Sequence, residues 1–176
     1  VPVTSINFSA TGDQLVASWL DGRISCWHLQ GDTATSLANW RLGSSVDAVA
    51  IAADDGLLAT GSQDGAIRLW RPDGTPVSPS PSPYQAAIRS LAFSADGRWL
   101  VAGAANGDLL LWDRKDLSAA PQVLIGHQSA VRSLVFAPDS RLLTTASLDG
   151  TVRLWNVQAP EQEPVLLGHD NWVWSV

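Results

Sequence analysis

The stretch that decides the fold is GHQSAVRSLVFAPDSRLLTTASLDGTVRLWN, residues 126–156. It contains three short apolar segments, VRSLVF, LLTTA and TVRLW, which are rich in β-branched and aromatic residues. Segments of this composition, bounded by Gly, Asp and Pro, are typical of antiparallel β-strands. The Asp149–Gly150 pair between the last two predicts a hairpin with a type I′ turn, in which both residues have positive φ.

The same unit occurs four times along the chain. Its final tryptophans are 43, 42 and 43 residues apart, at Trp27, Trp70, Trp112 and Trp155. Six residues before each Trp stands an Asp-Gly or Asn-Gly pair, which begins at Asp21, Asp64, Asn106 and Asp149. An apolar segment starts 18 residues before each pair, at Val3, Val46, Ile88 and Val131. A fourth strand is expected after each Trp, as in QVLI at residues 122–125 and PVLL at 164–167, so the repeat predicts four strands in each unit.

This pattern resembles the WD-repeat (WD40) family of β-propellers, whose signature is Gly-His, a spacer, Asp-Gly and then Trp-Asp. Here it reads Gly126–His127, Asp149–Gly150 and Trp155–Asn156, and Trp112–Asp113 supplies the literal dipeptide. The resemblance covers essentially the whole chain and implies an all-β fold of four four-stranded antiparallel blades. The approximate repeats are residues 1–40, 41–83, 84–125 and 126–167, and residues 168–176 are expected to be the first strand of a fifth blade.

Propellers of this family commonly close with about seven blades. The resemblance therefore predicts that the chain is a fragment of a larger propeller, with an incomplete ring completed by the remaining blades of a longer chain. A ring that is closed by two copies of the chain is the alternative.

Composition limits the class of partner. The chain has 45% hydrophobic and 16% charged residues, and it has no apolar run of the roughly 18 residues that cross a bilayer. Because the net charge is −6, we expect neither a nucleic acid nor a membrane surface as partner. The single cysteine, Cys26, fits a reducing compartment, and we expect a cytoplasmic protein. No metal-ligand spacing, phosphate-binding loop or nucleophile motif is present, so neither a cofactor nor an enzymatic activity is expected.

One polar set, consisting of His127, Thr145, Asp149 and Trp155, could suggest a nucleophile triad. A catalytic triad would occur once, however, whereas parts of this set recur in the other units. The family resemblance implies a structural tetrad instead, which ties the loop before the innermost strand to the turn and to the outer strands. The partial sets are Asp21 and Trp27, then Thr60, Asp64 and Trp70, then Asn106 and Trp112, and finally His169. The fourth blade is therefore expected to be the most firmly held.

The resemblance also points to a binding surface on the narrow face of the propeller. The candidate residues are Asp47, Gln63, Arg89, Arg132 and Leu148, to which the last residues add Trp172 and Trp174. Since Arg and Trp are enriched at interface hot spots, this surface would suit an acidic or aromatic-bearing peptide. The alternative is that the Trp pair packs against a further blade.

The function that the resemblance implies is a non-catalytic scaffold that binds proteins or peptides. The alternative is a regulatory or docking array of a larger kinase, NTPase or protease-like signalling protein of bacterial type.

The stretch PDGTPVSPSPSPY, residues 72–84, has the composition of a linker, but the spacing across it matches that of the other repeats within one residue. It is therefore expected to replace an outermost strand, with proline blunting the edge of the blade. The alternative is a solvated Ser-Pro ligand or phosphorylation segment at Ser78, Ser80 and Ser82.

Overall fold

The computed structural model describes residues 1–176, in which sixteen strands form four four-stranded antiparallel sheets. Sheet 1 contains β1 (Val3–Phe8), β2 (Gln14–Trp19), β3 (Arg23–Gln30) and β4 (Thr33–Arg41). Sheet 2 contains β5 (Val46–Ile51), β6 (Leu58–Ser62), β7 (Ile67–Trp70) and β8 (Pro76–Val77). Sheet 3 contains β9 (Ile88–Phe93), β10 (Trp99–Ala104), β11 (Leu109–Asp113) and β12 (Gln122–Leu124). Sheet 4 contains β13 (Val131–Phe136), β14 (Leu142–Ser147), β15 (Thr151–Asn156) and β16 (Val165–Gly168).

Each sheet is a meander whose strands lie side by side in chain order, so the prediction of four four-stranded antiparallel units is confirmed. A single turn of 3-10 helix, Arg114–Asp116, follows β11. The Pro-rich stretch supplies only the two residues of β8, which pair with β7 as a short outermost strand. Proline cannot donate a backbone hydrogen bond, which is why this edge is reduced.

Two predictions are wrong. The repeat predicts that residues 168–176 are the first strand of a fifth blade, but Gly168 ends β16 and residues 169–176 form no strand. None of the four turns is type I′, including the one at Asp149–Gly150, since each glycine has positive φ but the Asp or Asn before it does not. The β6–β7 turn, at Asp64–Gly65, shows the geometry that occurs instead. Its loop has three residues and is closed by a hydrogen bond from the Gly65 N–H to the Ser62 carbonyl at 3.1 Å.

The sequence predicts positive φ for the aspartate of this turn, but its role is to accept a backbone hydrogen bond through its side chain. Asp64 Oδ1 accepts the backbone N–H of Ala66 at 3.0 Å, and the Asp or Asn of the other three turns makes the same contact. The turn glycine also lies close to the loop that leads to the next sheet, because a Cβ on Gly65 would be 2.0 Å from the Tyr84 carbonyl oxygen. Asp-Gly is therefore required by a side-chain hydrogen bond and by a close approach of two backbones.

The core consists of three apolar clusters, one at each contact between neighbouring sheets. Their buried members include Ile24 and Val46 between sheets 1 and 2, and Leu143 between sheets 3 and 4. The innermost strands β1, β5, β9 and β13 are neighbours in that order, and residues from all four of them line one channel. The structure contains no helical segment with the length and hydropathy of a membrane span.

Candidate interaction surface

Four polar side chains of sheet 4 form one continuous chain of hydrogen bonds. The Trp155 indole N–H donates to Thr145 Oγ1 at 2.9 Å, and this oxygen lies 2.8 Å from His127 Nε2. On the other side of the ring, His127 Nδ1 lies 2.9 Å from Asp149 Oδ2. A neutral His127 that donates from Nδ1 and accepts at Nε2 satisfies every group in the chain. The structure therefore brings together all four residues of the complete polar set.

Burial and hydrogen bonding determine the protonation states of His127 and Asp149 in this hydrogen-bonded set. Burial lowers the pKa of His127, against the opposing effect of the Asp149 carboxylate. Burial alone would raise the pKa of Asp149, but hydrogen bonds from Thr151, the Gln128 N–H and His127 hold it well below its usual range. At neutral pH the histidine is thus neutral and the aspartate ionised. Because Thr145 is 0% exposed and its hydroxyl is engaged, the arrangement presents no nucleophile to a substrate.

The second residue of each innermost strand lies at one end of the channel. These residues are Thr4, Asp47, Arg89 and Arg132, and they line a cavity of about 360 Å³, together with Val3 and Leu20. We call these four residues the channel mouth. Arg89 Nη1 donates to Asp47 Oδ2. Arg132 makes no ion pair, and its guanidinium lies 5.1 Å from the ring centroid of Trp174. The mouth therefore contains one cation that is paired with a carboxylate and one that is not.

The remaining candidate residues do not line the mouth cavity. Gln63 Oε1 accepts a hydrogen bond from Ser45 Oγ at 2.9 Å. Leu148 is half-buried at the end of sheet 4 where the turn begins. Trp172 meets Trp174 edge to face, with ring centroids 6.2 Å apart, and the two residues are 63% and 56% exposed. An exposed aromatic pair thus stands beside the unpaired Arg132.

Comparison with known proteins identifies the repeats. The family model described as WD domain, G-beta repeat matches residues 36–71, 79–113 and 120–156, which is more than half of the chain. The chain belongs to the WD40 repeat family. It is also 32% identical over 127 residues to the WD repeat-containing protein SL1-17 of Schistosoma mansoni. That match covers 71% of this chain and 40% of the relative, so the chain spans less than half of that protein.

The family predicted from the repeat is thereby confirmed. WD40 repeats are typically protein-interaction scaffolds and are usually non-catalytic. The WD40 repeat of sheet 2 keeps one bond of the polar set, from the Trp70 indole N–H to Thr60 Oγ1 at 3.0 Å. Leu42 replaces the histidine and packs against the apolar cluster of sheets 1 and 2. Without a histidine to bind, Asp64 pairs with Arg68 at 2.8 Å.

In the WD40 repeat of sheet 3, a different group of side chains is hydrogen-bonded where sheet 4 has its polar set. Tyr84 stands at the histidine position and donates its O–H to Asp108 Oδ2 at 2.7 Å, which raises the pKa of Tyr84. Asn106 Nδ2 donates to the same oxygen at 2.6 Å. Ala102 stands where the threonine would be, so the buried indole N–H of Trp112 has no partner.

The polar set is least developed at the two ends of the chain. In sheet 1, Asp21 pairs with Arg23 at 2.9 Å, and Trp27 packs against a second indole with ring centroids 6.2 Å apart. At the other end, the His169 N–H donates to the Gly150 carbonyl at 2.8 Å, but its side chain is exposed and joins no tetrad.

Sequence reasoning missed two residues of these sites. Thr4 follows the first residue of β1, as Arg89 follows the first residue of β9, so the register of the repeat could have identified it. Asp108 lies two residues after Asn106, and the equivalent residue of sheet 4, Thr151, also contacts its polar set. The two equivalent residues differ in type, so no repeated signal marks this position.

Proposed function

We propose that the chain is a non-catalytic interaction module that binds an acidic segment of a partner protein at the channel mouth. Arg132 carries this proposal, because it is a half-buried cation without a carboxylate partner and is supported by the exposed ring of Trp174. A guanidinium binds a carboxylate through two parallel hydrogen bonds. Arg and Trp are also the residue types most enriched at interface hot spots.

The charge distribution supports an acidic ligand. The chain as a whole has a net charge of −6, whereas the channel mouth contains two arginines and one aspartate. An acidic segment is therefore repelled by most of the surface and attracted at the mouth. Such an arrangement favours one binding position over others, since like charges elsewhere oppose binding.

The cavity and the polar set are consistent with binding rather than catalysis. A cavity of about 360 Å³ lies near the lower end of the range for ligand sites, so it suits a few side chains of an extended segment. The complete polar set of sheet 4 is buried and fully hydrogen-bonded, and we assign it a structural role in holding the turn. A cytoplasmic location remains a prediction from the single cysteine, Cys26, which is buried and free.

Affinity capture followed by direct binding tests this function. A partner captured by the immobilised chain is purified, and its affinity is measured for wild type, Arg132→Gln and Trp174→Ala. Each substitution is expected to weaken binding by at least about tenfold, as for hot-spot residues.

Arg98→Gln is the matched control, since Arg98 also lies over an indole, that of Trp99 at 4.3 Å, but at the far end of its sheet. This variant should bind like the wild type. A partner that binds Arg132→Gln as tightly as Arg98→Gln does not use the mouth, and this result would refute the proposal.

A further inference from the structure

We infer that Asp47 is a built-in competitor, which occupies Arg89 until an acidic ligand displaces it. This inference rests on the proposed function and adds a regulatory element to the same site. Asp47 and Arg89 come from neighbouring innermost strands and are 42 residues apart in the chain. Asp47 is the only carboxylate that lines the mouth cavity, so it takes the place that a ligand carboxylate would take.

The contact between them leaves most of the guanidinium free. Arg89 donates only from Nη1, and its Nη2 and Nε atoms have no acceptor. Arg114, which links sheets 2 and 3, makes several hydrogen bonds by comparison. It binds Asp54, Asp55 and the Gly97 carbonyl at 2.8 to 2.9 Å. A single-point contact holds an arginine less tightly than such a set. Arg89 can therefore exchange its partner without losing several hydrogen bonds.

The ion pair is also open to the cavity. The side chain of Arg89 is 26% exposed, compared with 10% for Arg114, whereas the side chain of Asp47, the partner of Arg89, is 11% exposed. A ligand that offers more than one carboxylate can outcompete the single carboxylate of Asp47, because it can bind several guanidinium N–H groups at once. Arg132 lines the same cavity and makes no ion pair. A segment with two or more acidic groups can bind both guanidinium groups and leave Asp47 to the solvent.

Binding of a fluorescein-labelled hexaglutamate peptide to the intact chain tests the inference by fluorescence anisotropy. Asp47→Asn removes the competitor's charge at nearly the same shape and is expected to bind about fivefold more tightly than wild type, which corresponds to about 1 kcal/mol. Asp47→Thr provides a second variant with the residue that sheet 1 has at the equivalent position, Thr4, and should show the same gain. Adding Arg89→Gln to Asp47→Asn is expected to abolish the gain.

Asp113→Asn is the matched control, because it removes the same charge from an aspartate that pairs with Arg98 at 3.4 Å at the far end of its sheet. This variant should bind like the wild type. An equal gain in Asp113→Asn and Asp47→Asn would attribute the effect to net charge and overturn the inference.

Weaker binding in both Asp47 variants would also overturn it, since Asp47 would then position Arg89 for the ligand. In either case the proposed function stands if Arg132→Gln still loses affinity for the peptide. If neither wild type nor Asp47→Asn binds, the inference and the acidic class of ligand both fail.

Discussion

Replacing Thr145 by valine removes one hydroxyl from the middle of the hydrogen-bonded chain in sheet 4 and changes little of its shape. The substitution leaves two buried groups without partners, the indole N–H of Trp155 and the Nε2 of His127, which lie 2.9 and 2.8 Å from the hydroxyl. A buried polar group that loses its partner costs about 1–3 kcal/mol. We therefore expect Thr145→Val to lower the free energy of unfolding by roughly 2–6 kcal/mol.

Thr60→Val is the matched control within the same chain. Thr60 is also fully buried and accepts the Trp70 indole N–H at 3.0 Å, but Leu42 stands at the histidine position, so the substitution leaves only one group without a partner. The expected loss is about 1–3 kcal/mol, and the gain from the additional methyl group is common to both variants. The difference between the two variants is thus the contribution of the bond to His127.

Urea unfolding of the intact chain, followed by circular dichroism, measures the two losses. Hydrogen exchange at the indole N–H groups gives a local measurement, and Trp155 should exchange faster in Thr145→Val. Thr145→Ser keeps the hydroxyl and should retain most of the stability. Equal losses for Thr145→Val and Thr60→Val would refute the reasoning, because His127 would then add nothing through this bond.

Gly107→Ala is expected to cost more than about 3 kcal/mol, because the new Cβ would lie 2.3 Å from the His127 carbonyl oxygen. Gly12→Ala, at φ +74 with open space around it, should cost only about 1–2 kcal/mol, and equal losses in urea would contradict the steric argument. Ala102→Ser should slow hydrogen exchange at the Trp112 indole N–H and raise the unfolding midpoint, whereas unchanged exchange would show that the hydroxyl does not reach. Because burial lowers the pKa of His127, the unfolded chain binds more protons below pH 6.5, so stability should fall as the pH decreases from there. His127→Gln should reduce this slope in urea unfolding between pH 6.5 and about 5, and an unchanged slope would assign it to other groups.

The repeated features of the fold could be predicted, whereas their local geometry could not. Asp64 and Gly65 mark a turn by their composition alone, which located the β6–β7 hairpin correctly. The type of turn depends on how many residues separate the last hydrogen-bonded positions, here Ser62 and Ala66, and composition does not specify that number. The close approach of the Tyr84 carbonyl to Gly65 is also a property of the packed sheets, since the two residues are far apart in the sequence.

The same limit applies to the candidate site. The register of the repeat identified Asp47, Arg89 and Arg132 as equivalent positions, and the structure places them around one cavity. That Arg89 pairs with Asp47 while Arg132 lies against Trp174 depends on the distances between neighbouring strands. The sequence therefore predicts that Asp47, Arg89 and Arg132 share one site. It does not predict which of the two arginines is free to bind a ligand, because that depends on how the sheets pack.

The steric constraint on the side chain is strict at the turn and weak at the mouth, and this difference explains at which positions the repeats vary in sequence. The turn glycine occurs in all four repeats, because its φ is positive in each of them and, at Gly22, Gly65 and Gly107, backbone from the next loop would collide with a side chain. At the mouth, the equivalent side chains project into a cavity and meet no such constraint, and they are Thr4, Asp47, Arg89 and Arg132. Four identical residues would present the same side chain at every position of the mouth. The actual sequence has two adjacent arginines with an aspartate on one side and Trp174 on the other, so an extended acidic ligand would meet different partners along its length and would be bound in one direction.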